Sequence, residues 1–188
     1  MNEPILDDEL TQNEVSLNDV KFAGFWIRVG ASLIDFFILL PVLLLGVYNS
    51  LNFKSLPLML LITLIGFLYK PYLEWKKGGT FGKLAVGVKV VDYSLKNIDL
   101  DQAFRRYFPW IISYIISVII DIHVYTLPEF QDIDQFLELA PLVEQSPLNS
   151  ISTFYNLIFL ILVGSLIFDP RKQGVHDKYA GTYCILTK

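Results

Sequence analysis

Residues 25–48 read FWIRVGASLIDFFILLPVLLLGVY, and this run decides the fold. A bilayer core takes roughly 20 mostly apolar residues to cross as a helix. The run is long enough, but it carries Asp35, so its insertion has to be weighed. Between Val29 and Val47 stand thirteen Leu, Ile, Val or Phe residues. Each contributes about −0.3 to −0.6 kcal/mol on the insertion scale, against about +2.5 to +3.5 for a central Asp. The apolar sum wins, so the segment inserts and takes its acid with it.

Three further segments have the same character: Leu56 to about Leu73, Tyr107 to about Tyr125, and Ile151 to Phe168. Lys70 stands near one end of the second, where its stem can snorkel. Four buried core helices in a soluble chain of 188 residues would leave too little polar surface to cover them. The composition agrees: 53% hydrophobic and 18% charged, against about 25% charged in soluble domains. The expected fold is therefore all-α, a polytopic membrane protein with four transmembrane helices. Residues 1–20 carry six acids and no Lys or Arg, which rules out a secretory signal and suggests a mobile acidic tail. The transmembrane domain then spans 21–188.

Basic residues set the orientation. Fourteen of fifteen Lys and Arg fall in the N-terminal flank, the 70–106 connection and the C-terminal tail. The opposite side holds only Lys54, and residues 126–150 are acidic. Both termini are expected in the cytoplasm, with the chain multi-pass in the inner (plasma) membrane and the lipid bilayer as its first partner. A net charge of −4 gives no basic face for nucleic acid.

The connections predict a small cytoplasmic lobe. Gly78 and Gly79 break the second span, and β-branched Val86 to Val91 reads as a strand. Thr182 to Leu186 is a second strand, and the two are expected to pair. Asp99 or Asp101 caps the helix that becomes span three. On the other side, Phe130, Ile133, Phe136, Leu137 and Ala140 recur at helical spacing and predict a short amphipathic helix.

Chemistry-bearing residues are few. Arg28, Ser32 and Asp35 share one helix face, with Asp35 about 10 Å deeper than Arg28. Each is expected to find its partner on another helix, and Glu74 matches the depth of Arg28. Ionisable groups inside spans mark function by default, or else fix helix register. Pro41 frees the carbonyl of Phe37, a device used near ion sites and also common elsewhere. Ser113, Ser117 and Asp121 form a polar stripe in span three, with Asn156 at the depth of Asp121, so an interhelical contact is expected there. The 78–83 stretch fails as a phosphate loop, because Leu84 replaces the hydroxyl residue and no strand precedes it. No Ser/His/Asp set, paired catalytic carboxylates or metal-spaced His cluster is present in the sequence, so neither enzymatic activity, metal nor cofactor is expected. Cys184 reads as a buried hydrophobe or a free thiol.

Three motifs together resemble the RDD family of small membrane proteins, named for one arginine and two aspartates. They are Phe22-Ala23-Gly24-Phe25-Trp26-Ile27-Arg28 followed by Asp35; Gly79-Thr80-Phe81-Gly82-Lys83 followed by Gly87-Val88-Lys89-Val90-Val91-Asp92; and Gly174-Val175-His176-Asp177-Lys178-Tyr179-Ala180-Gly181-Thr182. The resemblance runs from about Phe22 to Thr182. It implies that Arg28 and Asp35 are the arginine and first aspartate, with His176 and Asp177 completing the motif. Lys178 and Leu84 depart from the family pattern. Some members are described as monovalent cation/proton antiporters, which makes Asp35, Arg28 and Asp121 the candidate cation and proton site. A carboxyl buried in a span suits that exchange, because proton, Na⁺ and K⁺ all neutralise the same charge. Four spans are few for a monomeric transporter, so transport implies a homo-oligomer. The alternative is a non-transporting structural or assembly component, in which Arg28, Asp35 and Asp177 hold the bundle together. Arg28 is the leading partner for Asp177, since both lie at the cytoplasmic end.

Overall fold

The first span folds as α1, Phe25–Tyr48, and runs on through one π-helical turn to Phe53. The structure, a computed structural model, describes residues 20–187; the tail expected over residues 1–20 lies, but for Val20, outside them. Pro41 stands inside α1 without ending it. The second span is α2, Leu56–Lys77. Ser55 caps its start by accepting from Leu58 N, and Gly78 ends it at φ 74°, a left-handed conformation that glycine adopts without strain. The third is α5, Phe108–Thr126, and the fourth α7, Asn149–Gly164, extended by a 3₁₀ turn to Ile167. All four are long and apolar enough to cross a membrane, which is the architecture of a multi-pass membrane protein.

Between the second and third spans, and after the fourth, lie short elements that build the lobe. They are α3 (Phe81–Ala85), β1 (Val88–Asp92), α4 (Leu100–Arg106), α8 (Val175–Ala180) and β2 (Thr182–Leu186). The expected strands do pair, antiparallel, from Val88 opposite Leu186 to Asp92 opposite Thr182. The chain entering α1 lies along the other edge of β2: Leu186 N donates to Lys21 O and Ala23 N to Cys184 O, both at 2.8 Å. Ala23, Val88, Val90, Ile98, Ala103 and Cys184 pack as the lobe's core. Asp99 caps α4 through a reciprocal pair with Gln102. Span three does not simply continue that helix: the chain breaks at Tyr107, before Pro109, whose missing N–H suits the first turn of α5.

The spans pack in a row, first on second, second on third, third on fourth. The first and fourth, at the ends of the row, make at most marginal contact. At the end away from the lobe, Asn49 is buried and donates to Ser55 O and Tyr125 Oη at 2.9 and 3.0 Å. The amphipathic helix expected there is absent as such. Pro128–Asp132 and Phe136–Glu138 are 3₁₀ turns, and only α6, Leu139–Glu144, is α-helical. Phe130 and Ile133 reach the small core beneath with Ile120, Val124 and Leu142. Phe136 and Leu137 stay exposed, at 58% and 79%. The helical spacing held over too few residues to specify one face, and Ile133 and Gln135 adopt extended backbone between the turns.

Candidate functional site

Arg28 leaves the first turn of α1 pointing at the lobe. Its guanidinium is fully engaged: Nε donates to Ala23 O at 2.9 Å, Nη2 to Lys172 O at 2.6 Å and Nη1 to Asp177 Oδ2 at 2.6 Å. The expected Arg28–Asp177 pair is therefore present, and it ties the first span to the lobe helix α8. Glu74, the other partner considered for Arg28, faces instead Lys83 on α3 and Arg106 on α4. Arg106 joins the two acids, with Nε 2.9 Å from Glu74 Oε2 and Nη1 2.8 Å from Asp177 Oδ1. It also donates to Thr182 Oγ1 and Cys184 Sγ on β2. Arg28, Glu74, Arg106 and Asp177 are all buried.

His176 sits beside Asp177, with Nε2 3.1 Å from Oδ1, and stacks edge-on against Trp110. Burial pushes its imidazole below the ordinary value, and the nearby carboxylate only partly restores it, so the ring is neutral at pH 7. Burial alone would raise the carboxyl of Asp177. Arg106 and Arg28 outweigh it and hold that group well below the usual range. Gly174 leaves the space the His176 ring needs, since a Cβ there would stand 2.7 Å from Cε1.

Asp35 is held apart from this cluster. Oδ1 accepts from Tyr69 Oη and Gly82 N, each at 2.7 Å, and Oδ2 accepts from Thr80 Oγ1 at 2.6 Å. Thr80 is also the N-cap of α3, accepting from Lys83 N. The carboxylate thus fastens α3 against the first span. Gly82 permits that approach, for a Cβ there would lie 2.0 Å from Ala31 O.

Of the residues singled out from sequence, Arg28, His176 and Asp177 converge. Asp35 stays outside that group with its own donors. Asp121 is remote, eleven residues along α5 from Trp110, or about 16 Å. Ser117 Oγ is 3.5 Å from its Oδ2. Among the described residues no hydrogen bond joins it to Asn156, which is exposed. The fourth span turns Tyr155 and Phe159 toward the third instead, onto Pro109 O and the Trp110 ring, and this rotates Asn156 outward. Lys83 and Arg106 were missed as site residues. Ala103 and Arg106, at i and i+3, are the buried face of α4, and that spacing just before an apolar span was the available signal.

Above the cluster is a cavity of about 170 Å³ lined by Arg28, Ser32, Lys70, Lys83, Arg106 and His176, with Phe25, Trp110 and the fourth-span residues Val163 and Leu166 among its walls. Lys70 does not snorkel away; its Nζ lies 3.1 Å from the centre of the Trp110 ring. Among the described residues it has no carboxylate in ion-pair range.

The chain is 34% identical over 126 residues to the uncharacterized protein YxaI of Bacillus subtilis (strain 168), covering 53% of this chain and 82% of that one. It is 35% identical over 92 residues to the uncharacterized protein YckC of the same organism, covering 48% of this chain and 60% of that one. No solved structure matches. Residues 22–181 match the RDD family, a stretch that runs from the strand-like entry to the first span as far as the turn after α8. With all four spans and the Arg28–Asp177 pair inside that stretch, the chain belongs to the RDD family.

Proposed function

We propose that the protein lies in the plasma membrane with its lobe and termini in the cytoplasm, and that it binds an anionic group in the basic cavity. The motif residues Arg28, Asp35 and Asp177 are the frame of that cavity. The orientation rests on the placement of Lys and Arg, which gather at the lobe end.

One observation carries the anion reading: every charged side chain lining the cavity is basic, namely Arg28, Lys70, Lys83 and Arg106. The two acids of the cluster, Glu74 and Asp177, lie behind that lining and are already shared among Lys83, Arg106 and Arg28. Four basic groups against two carboxylates leave an excess that an anion would neutralise. At an effective dielectric constant near 20, a unit charge 4–8 Å away is worth roughly 2–4 kcal/mol. The same arithmetic opposes Na⁺ or K⁺ in this cavity. Asp35 offers such an ion no free site either, since its oxygens are taken by three donors. Monovalent cation/proton exchange is therefore the less supported reading.

The test is the thermal midpoint of the detergent-solubilised protein as phosphate or sulfate replaces chloride at constant ionic strength and pH. A saturable rise is expected in wild type and its loss in Lys70→Gln, a side chain whose removal breaks no ion pair. A rise that is identical in the variant, or no rise at all, would remove the basis for the anion reading.

A further inference from the structure

We propose that the anion is the phosphate of a phospholipid headgroup, which enters the cavity sideways from the bilayer between the first and fourth spans. The proposal rests on the anion reading above and names its ligand and its route.

Three observations point to the bilayer as the source. The first is the open side of the bundle. Adjacent spans pack in sequence, but the first and fourth do not close the ring, and the cavity is lined from both of them, by Val29 and Ser32 on one side and Val163 and Leu166 on the other. The second is where the exposure lies. Val29 is 42% exposed and Ser32 is exposed, and both belong to a membrane-spanning helix, so this mouth faces lipid. On the lobe side Arg106 and Asp177 are 1% and 0% exposed, with Arg106 set against α8 and β2. The third is depth. Arg28 is one turn into the first span, and Trp110 is in the first turn of the third, the level at which headgroups and aromatic rings meet.

Size and chemistry agree. A volume of 170 Å³ corresponds to about five or six waters, room for one phosphate with part of its ester while the rest of the lipid stays outside the mouth. Basic pockets between spans on the cytoplasmic side are a recurring form of anionic-headgroup recognition. Phe25 and Trp110 give the adjoining wall an aromatic surface for the apolar part of the lipid.

The experiment uses the full chain in nanodiscs of zwitterionic lipid doped with phosphatidylglycerol, ejected for native mass spectrometry. Wild type, Lys70→Gln and Val163→Phe are compared, the last chosen to narrow the mouth without touching a charge. Phosphate-dependent thermal stabilisation is measured on the same three proteins in detergent. Wild type is expected to retain one phosphatidylglycerol, and both variants to lose most of it. Free inorganic phosphate should stabilise wild type, and Lys70→Gln should lose that stabilisation too. If free phosphate stabilises wild type but no lipid is retained, or if Val163→Phe retains lipid like wild type, the lipid route is overturned while the anion site stands. If neither phosphate nor lipid binds, both fall together.

Discussion

Asp177 meets two arginines from two other elements while wholly buried, so its removal should be felt throughout the lobe. Breaking one partner of a buried pair costs about 3–5 kcal/mol, because the remaining charge is left uncompensated. Asp177→Asn should therefore sharply reduce folded protein, measured by monodisperse yield and thermal midpoint. Arg28→Gln added to it should cost much less than Arg28→Gln alone; equal costs in both backgrounds would mean the 2.6 Å contact carries no coupling. The acid limb of stability belongs to the same residues. His176 binds its proton less readily in the folded state than in the unfolded chain, where the value is about 6.5. The unfolded state then holds more protons as pH falls through that value, so stability is full above it and declines below it. Asp177 adds a second loss below about pH 4, where the unfolded carboxyl protonates but the folded one does not. The thermal midpoint should thus fall between pH 7 and 5 in wild type and be flatter there in His176→Asn; a parallel fall in both would assign it elsewhere. At this scale the sequence identified Arg28, His176 and Asp177, because charges inside or beside spans are few and stand out. Arg106 was passed over among the basic residues of the connection, since only its i, i+3 spacing from Ala103 sets it apart from the solvated Arg105 beside it.

At the scale of elements, α3 is the least expected piece and the most tightly placed. Five residues cannot sustain a helix alone; Thr80 caps it and Asp35 grips it from the first span. Its glycine is sterically required. Gly82→Ala would force a Cβ onto Ala31 O and should lower stability by several kcal/mol, within the range of severe overpacking. Gly164→Ala, where a Cβ meets nothing within 4 Å, should be neutral or stabilising by up to about 1 kcal/mol. Equal thermal midpoints for the two variants would contradict the contact. The four spans and both strands were legible because apolar length and β-branching are local signals. Helix α3 was not, because its stability comes from a residue forty-five positions earlier, Asp35, bonded to Thr80. The outer 3₁₀ turns were misread as one helix because apolar spacing records periodicity and not the backbone breaks between turns.

For the whole molecule, the unequal ends make the orientation testable. The only native thiol, Cys184, is fully buried, so introduced cysteines can be read against a silent background. Gln145→Cys, exposed at the end away from the lobe, should react with an impermeant thiol reagent outside intact cells, and Ser94→Cys should not. The reverse pattern would invert the topology. The charge imbalance of the cavity is also a property of the whole fold, since its four basic residues come from α1, α2, α3 and α4. No single stretch of sequence contains it, which is why a cation site built on Asp35 was the natural expectation from sequence and an anion site the reading favoured by the assembled bundle. The most direct test is isothermal titration of the detergent-solubilised protein with inorganic phosphate and, separately, with Na⁺. The account predicts saturable heat for phosphate that disappears in Lys70→Gln, and none for Na⁺. Saturable Na⁺ binding abolished by Asp35→Asn, with no response to phosphate, would contradict it.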